Sequence, residues 1–477
     1  MSTNNPETDA PAAKRPAGDR SEAFSLDVEE RSIGDAFRNW IIKLRTGDPG
    51  ALPSILGLII LAIVFDQVSS RFLSAYNIGN LPGQGAYIAV IGLGLVFVLL
   101  LGEIDLSAGT AGGVCAALAA VAISKGNLHD TLPGLLYWCL IVGLIICTAL
   151  AVWLKAWSAS VAIVLGLVLV VTNLTDHLLL GLIAAVCIGV AIGVLNGYLV
   201  AKVGIPSFVV TLALFLAWQG VLQFVVQGQP INTSNYKLWF DLAYGNLTVT
   251  WSWVFAIVVI GGYVAYSFYT AVTAKRQDLA HDAMNLVVLR SAIIIVGGLV
   301  ITYLATRNRG LVPTAPKQGI PVPAAIAITL MIMCTIALSK TTWGRHLYAT
   351  GGNAEAARRA GIDVVHMKVT AFALCTAFGA LGGVMLASSQ SSASLDLGSG
   401  NVLLFSVAAA VIGGTSLFGG RGKPRDAILG ALVITIIPNG LGLKPSLGPQ
   451  WQQVITGVVL LLAAAVDAIS RRRAARS

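Results

Sequence analysis

The chain has 477 residues, 56% of them hydrophobic and only 11% charged, with a net charge of +9. A soluble domain carries about a quarter charged residues, so a mean hydropathy of +0.80 excludes one and points to an all-α polytopic transmembrane helical bundle. The basic residues sit in short loops between apolar segments, as membrane orientation requires, which excludes a nucleic-acid partner.

Residues 1–50 read as a cytoplasmic disordered tail, because 1–30 are rich in Pro, Ala, Ser, Asp and Glu and hold no apolar run. Within it, Ile33, Phe37, Trp40, Ile41 and Leu44 recur at helical spacing with Arg38, Lys43 and Arg45 between them. That pattern suits a helix at 32–45 lying in the membrane surface, and equally a solvated leader. Residues 51–470 form the transmembrane domain and 471–477 a basic cytoplasmic tail.

Fourteen apolar segments follow, at roughly 53–69, 84–101, 108–124, 134–154, 159–174, 178–200, 207–227, 251–270, 286–306, 322–339, 368–388, 402–418, 425–442 and 452–469. Most approach the ~20 residues that cross the hydrocarbon core. Those beside the Gly-rich breaks at 102–109 and 419–422 read as broken or re-entrant helices, which survive at membrane depth only inside protein or beside water. Counting all fourteen as spans from an inside N-terminus puts Lys155, Lys202, Lys275, Arg276, Lys340, Arg345, Arg358, Arg359, Lys368, Arg421, Lys423, Arg425 and Arg471–Arg473 inside. Arg71, Lys125, Lys237, Arg307, Arg309, Lys317 and Lys444 fall outside, so the 340–367 loop and both termini are cytoplasmic.

All six cysteines lie in apolar segments, with no disulfide framework and no metal spacing. The five histidines form no zinc-type pair and no Walker A sequence occurs, so the chain is read as neither an ATPase nor any other enzyme, with no cofactor.

Polar residues inside the apolar segments are the candidates for a path. Gln219, Gln223 and Gln227 are spaced i, i+4, i+8 and share one helix face, with Trp218 beside them. Amides donate and accept hydrogen bonds, which suits hydroxyl-rich ligands, and an aromatic face can stack on a sugar ring. Turned to lipid, such a stripe would leave amides unsatisfied, so it lines a wet path or bonds between helices. Glu103 and Asp105 belong in a protein-lined break, where Asp105 or Ser107 caps the next helix or meets substrate. Asn196, Asn439 and Ser388–Ser392 are path or structural residues. Gly413, Gly414, Gly419, Gly420 and Gly422 permit tight turns and close helix approach.

The polar stretch Thr342–Ile362 separates two strongly apolar segments. Asn353 can cap a helix through Glu355, Ala356, Ala357 and Arg358, and Gly361 can end it. A short, firm helix between two spans is a part that something outside the membrane can push.

Its Glu355-Ala-Ala-Arg-Arg-Ala-Gly361 resembles the cytoplasmic coupling loop of ABC import permeases. Four segments resemble the ribose, galactose and xylose permeases in particular: Gly102-Glu-Ile-Asp-Leu-Ser-Ala-Gly109, Val203-Gly-Ile-Pro-Ser-Phe-Val-Val-Thr-Leu212, Tyr348 to Ile362, and Val411-Ile-Gly-Gly-Thr-Ser-Leu-Phe-Gly-Gly-Arg-Gly422. The extra spans at 251–306, followed by Arg307-Asn-Arg-Gly-Leu-Val-Pro-Thr, look most like the xylose permease. Glu103 replaces the usual second glycine, Asp426 stands where a glycine is usual, and the apolar hairpin at 134–174 has no counterpart in the short members.

The resemblance implies a permease subunit in the bacterial plasma membrane that moves a monosaccharide, xylose or a similar pentose, into the cell. It further implies a second permease copy, cytoplasmic ATPase subunits and an extracytoplasmic sugar-binding protein. The alternatives are another monosaccharide, branched-chain amino acids, or an ion-coupled secondary transporter, which would need ion-coordinating groups along its path. The topology has a direct test: cysteines placed at Ser399 and Ala474 are expected to react with an impermeant label from opposite faces, and labelling of both from outside would show the assigned topology to be wrong.

Overall fold

The computed structural model describes residues 51–277, 284–310 and 316–444, with scattered positions from 448 to 465. The tail at 1–50, its interfacial helix at 32–45 and the basic tail at 471–477 lie outside the described residues. Among the described residues ten helices are long and apolar enough to cross a membrane, from Ala75–Leu100 through Pro424–Gly442. Three of the fourteen expected spans are shorter. Leu52–Val68 has 17 residues, Trp157–Val171 has 15 and Asn401–Gly413 has 13, which at ~1.5 Å per residue is less than the ~30 Å core. Local backbone explains the stops: Ser69 is extended, the chain turns left-handed at Asn173, and Gly414 takes φ 122°. The fourteenth segment, 452–469, is described only in part.

Helix Val364–Ser389 is the centre of the larger of two compact units, which comprises the described residues from 51 to 255 and from 301 onward. It packs against Leu178–Tyr198, Ala86–Leu100 and Ala108–Lys125. Ala86–Leu100 is apolar all round and buried at every position but Tyr87, so it has no solvent or lipid face at all. Small residues let these backbones approach. A Cβ on Gly112 would stand 2.1 Å from the Gly379 carbonyl oxygen, and one on Gly383 would stand 2.3 Å from that of Gly112.

On the other flank Gly189, Gly193 and Gly197, spaced i, i+4, i+8, lie directly against Thr376, Phe372 and Val369. Lipid tails are as apolar as leucine, so helices in a bilayer associate through such packing rather than through the hydrophobic effect. The remaining exposed side chains fit that solvent: Leu135 is 82% exposed and Val161 71% exposed on the peripheral helices Gly134–Trp153 and Trp157–Val171.

The second unit is described over residues 256–277 and 284–300, parts of the helices Val249–Arg276 and Met284–Thr306, with Ile260 packed against Gly298.

Loops tie the far ends of two spans together. Ile231–Asn232 pairs antiparallel with Ser392–Ala393, and Ser388 Oγ donates to the Trp239 carbonyl (2.5 Å). Asn77 and Asn439 exchange amide hydrogen bonds at 2.8 and 2.9 Å, so neither is left unpaired between its helices.

The glycine contacts generate a prediction. Gly193→Ala puts a methyl 2.1 Å from Thr376 Oγ1 and is expected to destabilise the purified protein by about 1–3 kcal/mol, as overpacking does. Gly57→Ala, which meets nothing within 4 Å, is the control. Thermal unfolding in detergent reads both, and equal melting temperatures would show that the central packing tolerates a Cβ.

Candidate coupling site and translocation path

The polar stretch at 342–362 forms two helices joined at Asn353: Thr342–Gly352 and Ala354–Arg359. Asn353 caps the second, its Oδ1 accepting the Ala356 N–H at 2.9 Å. At the other end Ile362 N–H bonds the Ala357 carbonyl and Gly361 N–H that of Arg358, both at 3.0 Å, with Gly361 at φ 85°. That closes the helix in a Schellman motif, which a residue with a Cβ would strain. Glu355 pairs with Arg358 (2.9 Å) and Arg359 (3.3 Å) on the same small helix. Exposed pairs of this kind contribute about 0.3–0.5 kcal/mol each. Only Ala357 of its six residues is buried. The result is a rigid knob with an exposed face.

The longer helix seats this knob on the bundle. Trp343 Nε1 donates to Thr370 Oγ1 at 2.9 Å, and Tyr348 donates its hydroxyl to the Gly422 carbonyl at 2.7 Å. Burial, and then the nearby Asp426 carboxylate, push the Tyr348 phenol above its ordinary pKa, so it stays a donor. Three backbones meet under it. Gly420 N–H bonds the Leu100 carbonyl at 2.8 Å, and a Cβ on Gly351 would stand 1.8 Å from that same oxygen. The two Gly-rich breaks of the sequence are therefore one structure, the non-helical runs 101–107 and 414–423 lying together at the foot of the short helices.

Glu103, Asp105 and Asn196 converge at this break. Asp105 is fully buried; its Oδ1 accepts the Ser107 N–H (2.9 Å) and hydroxyl (2.7 Å), and its Oδ2 accepts Asn196 Nδ2 at 3.4 Å. Asn196 Nδ2 also reaches Ser107 Oγ at 2.9 Å. Glu103 pairs with Lys368 at 2.5 Å, both half-buried. Asp426 accepts the Lys423 N–H at 2.7 Å and caps its own helix.

The glutamines stand elsewhere, Gln219 and Gln223 on helix Ser207–Val226 and Gln227 at its end. Gln219 is half-buried, while Gln223 and Gln227 are exposed among Leu212, Leu216 and Phe224. Gln227 falls just past the helix in a left-handed conformation, and its Nε2 donates to the Thr131 carbonyl at 2.7 Å. Trp218 is not on that face. It lines an apolar cavity of about 180 Å³ with Val221, Val225, Leu118 and Leu140, and its indole N–H has no partner there.

Three features were not read from the sequence. Gly189, Gly193 and Gly197 carried a visible signal in their four-residue spacing. The Glu103–Lys368 pair, 265 residues apart, and the seat of Tyr348 on Gly422 carried none.

The fold is that of a polytopic membrane protein, with its broken spans and the capped, exposed helix at 354–359 gathered at one end of the bundle. A family model described as branched-chain amino acid transport system / permease component matches residues 77–464, and the chain belongs to that family. It is a permease component and not an enzyme. The chain is similar to the xylose transport system permease protein of Escherichia coli (strain K12), 29% identical over 84% of this chain and 87% of that one. It is also similar, 29% identical over 87% of this chain and 92% of that one, to the ribose import permease protein of Bacillus subtilis (strain 168). A probable ABC transporter permease protein of Escherichia coli (strain K12) is 39% identical over 33% of this chain and 47% of its own. No solved structure matches the chain significantly.

Removing the cap tests the geometry of the knob. Asn353→Ala is expected to weaken the short helix by about 1 kcal/mol. Hydrogen exchange at Ala356 and Ala357 would then speed roughly fivefold. Unchanged exchange would mean the helix is held by its seat rather than by its cap.

Proposed function

We propose that this chain is the membrane-spanning permease of an ABC importer for a monosaccharide, with xylose or a similar pentose as cargo. The observation that carries the reading is the knob at 354–359, rigid by its own hydrogen bonds and exposed, yet tied to both broken spans through Tyr348 and Gly351 of the helix before it. ATPase subunits in the cytoplasm press on Asn353, Glu355, Ala356, Ala357, Arg358 and Gly361. Nucleotide and delivered sugar each favour one arrangement of the breaks, and that difference in affinity is the coupling.

The uncovered face of Ser207–Val226 supports a second permease copy. Gln223 and Gln227 would meet hydrocarbon if that face were turned to lipid, at the cost of unsatisfied amides. Two copies side by side enclose the glutamine faces around a wet path instead. Gln219 and Gln223 on the helix, and Gln227 just past its end, then offer successive hydrogen bonds to hydroxyls. Asp105 and Asn196 hold the break beside that path, and Trp218 packs behind it. An extracytoplasmic binding protein supplies the sugar, so the path itself holds it weakly.

The family description favours a branched-chain amino acid as the second reading. The relatives aligned over more than four-fifths of the chain transport xylose and ribose by their names, which supports a sugar. Proteoliposomes holding permease, ATPase and binding protein decide it. Labelled xylose is expected to enter with ATP and to be competed by pentoses but not by leucine; uptake of leucine alone would overturn the sugar reading.

In the same vesicles Glu355→Ala or Gly361→Asp is expected to lower ATPase attachment or coupling without loss of inserted protein. Gln223→Leu is expected to slow uptake severalfold at an unchanged external half-saturation concentration. Normal uptake by surviving Gln223→Leu molecules, together with a lower melting temperature, would assign the stripe to interhelical bonding.

A further inference from the structure

Lys368 stands in the second turn of helix Val364–Ser389, seven residues after Gly361. Asp363 caps that helix, its Oδ1 accepting the His366 N–H at 2.9 Å, so the chain passes from the knob into the central helix with little slack. Glu103 lies in the non-helical run between Ala86–Leu100 and Ala108–Lys125, next to Gly102 at φ 73°. Its neighbour Ile104 is gripped at both backbone groups by the foot of the glutamine-bearing helix. The Ile104 N–H donates to Ser207 Oγ (3.4 Å) and Thr211 Oγ1 donates to the Ile104 carbonyl (3.3 Å). The Lys368–Glu103 ion pair thus joins the segment that leaves the knob to the residue adjoining that foot. Side-chain exposures of 23% and 17% keep it partly out of water, where salt screens it less than a surface pair.

We propose that Glu103 and Lys368 are positioning residues that carry displacement of the 354–359 helix to the foot of helix Ser207–Val226, and so to the transport path. This rests on the reading of 354–359 as the ATPase contact. The buried Asp105–Ser107–Asn196 cluster fixes the far side of the break, leaving the Glu103 side as the part that follows Lys368. Gly102 supplies the pivot, since its left-handed backbone is one that a glycine adopts without strain.

The test uses the assembled importer in proteoliposomes and reads sugar taken up per ATP hydrolysed. Glu103→Gln and Lys368→Gln are each expected to lower that ratio about tenfold, with ATPase copies co-purifying normally and nucleotide hydrolysis persisting. The exchanged pair, Glu103→Lys with Lys368→Glu, is expected to recover most of the ratio. A wild-type ratio in both single variants overturns the proposal. So does a loss of folded protein in which surviving molecules keep the wild-type ratio, because a brace lowers yield and not coupling. If the exchanged pair fails to fold, the near-isosteric Glu103→Gln decides alone. Glu355→Ala runs in parallel: intact ATPase attachment and coupling there overturns the underlying reading. Loss there beside an unchanged Glu103→Gln overturns only the link.

Discussion

Close approach of backbone to backbone is the constraint on which this structure depends. A bilayer gives helices no hydrophobic reason to associate, so contact area and polar satisfaction have to hold them. Helix Val364–Ser389 meets Ala108–Lys125 through Gly112, Gly379 and Gly383, and meets Leu178–Tyr198 through Gly189, Gly193 and Gly197. At each of these positions a Cβ would fall within 3 Å of a neighbouring atom. Three helices therefore share one interface in which displacement of the central member must move the others or break the packing.

The same closeness permits the breaks. Non-helical backbone at membrane depth needs partners from the protein, and here each break supplies the other. Gly420 N–H satisfies the Leu100 carbonyl, Ser207 and Thr211 satisfy Ile104, and Asp105 takes the Ser107 N–H. Charges in this region are accounted for as well: Glu103 by Lys368, and Asp426 by the Lys423 amide and Thr415. Removing one partner of such a half-buried pair costs more than the pair contributes net, because the other charge is left desolvated. The knob at 354–359 is seated on this polar floor through Tyr348 and Gly351. The exposed rigid part and the buried irregular part are thereby one mechanical piece.

Peripheral elements obey a looser rule. Gly134–Trp153 and Trp157–Val171 expose large apolar side chains, and the first leaves a cavity of about 180 Å³ against Ala108–Lys125, Leu178–Tyr198 and Ser207–Val226. Along Gly134–Trp153 glycine is not demanded, since a Cβ on Gly143 would meet no atom within 4 Å, whereas one on Gly166 of the next helix would stand 2.6 Å from Cys187. The contrast between this looser packing and the glycine-lined centre separates the buried core of the bundle from its apolar, exposed flank.

Much was legible in the sequence because its causes are local. Apolar runs of ~20 residues dictate membrane helices whatever their neighbours. Asn353 and Gly361 dictate where the short helix begins and ends, since a cap and a Schellman turn involve only residues within one turn. The glycine runs at 102 and 419–422 announced interruptions for the same reason. Tertiary structure alone decided which helix is central, because Val364–Ser389 and Gly134–Trp153 are both long and apolar enough to cross a membrane, yet the first is mostly buried and the second mostly exposed. It alone placed Trp218 away from the glutamines, brought Glu103 to Lys368 across 265 residues, and made two distant breaks into one floor. Hydropathy records how each segment prefers lipid to water; it holds no term for which segment lies against which, and that choice falls to shape and pairing in the folded bundle.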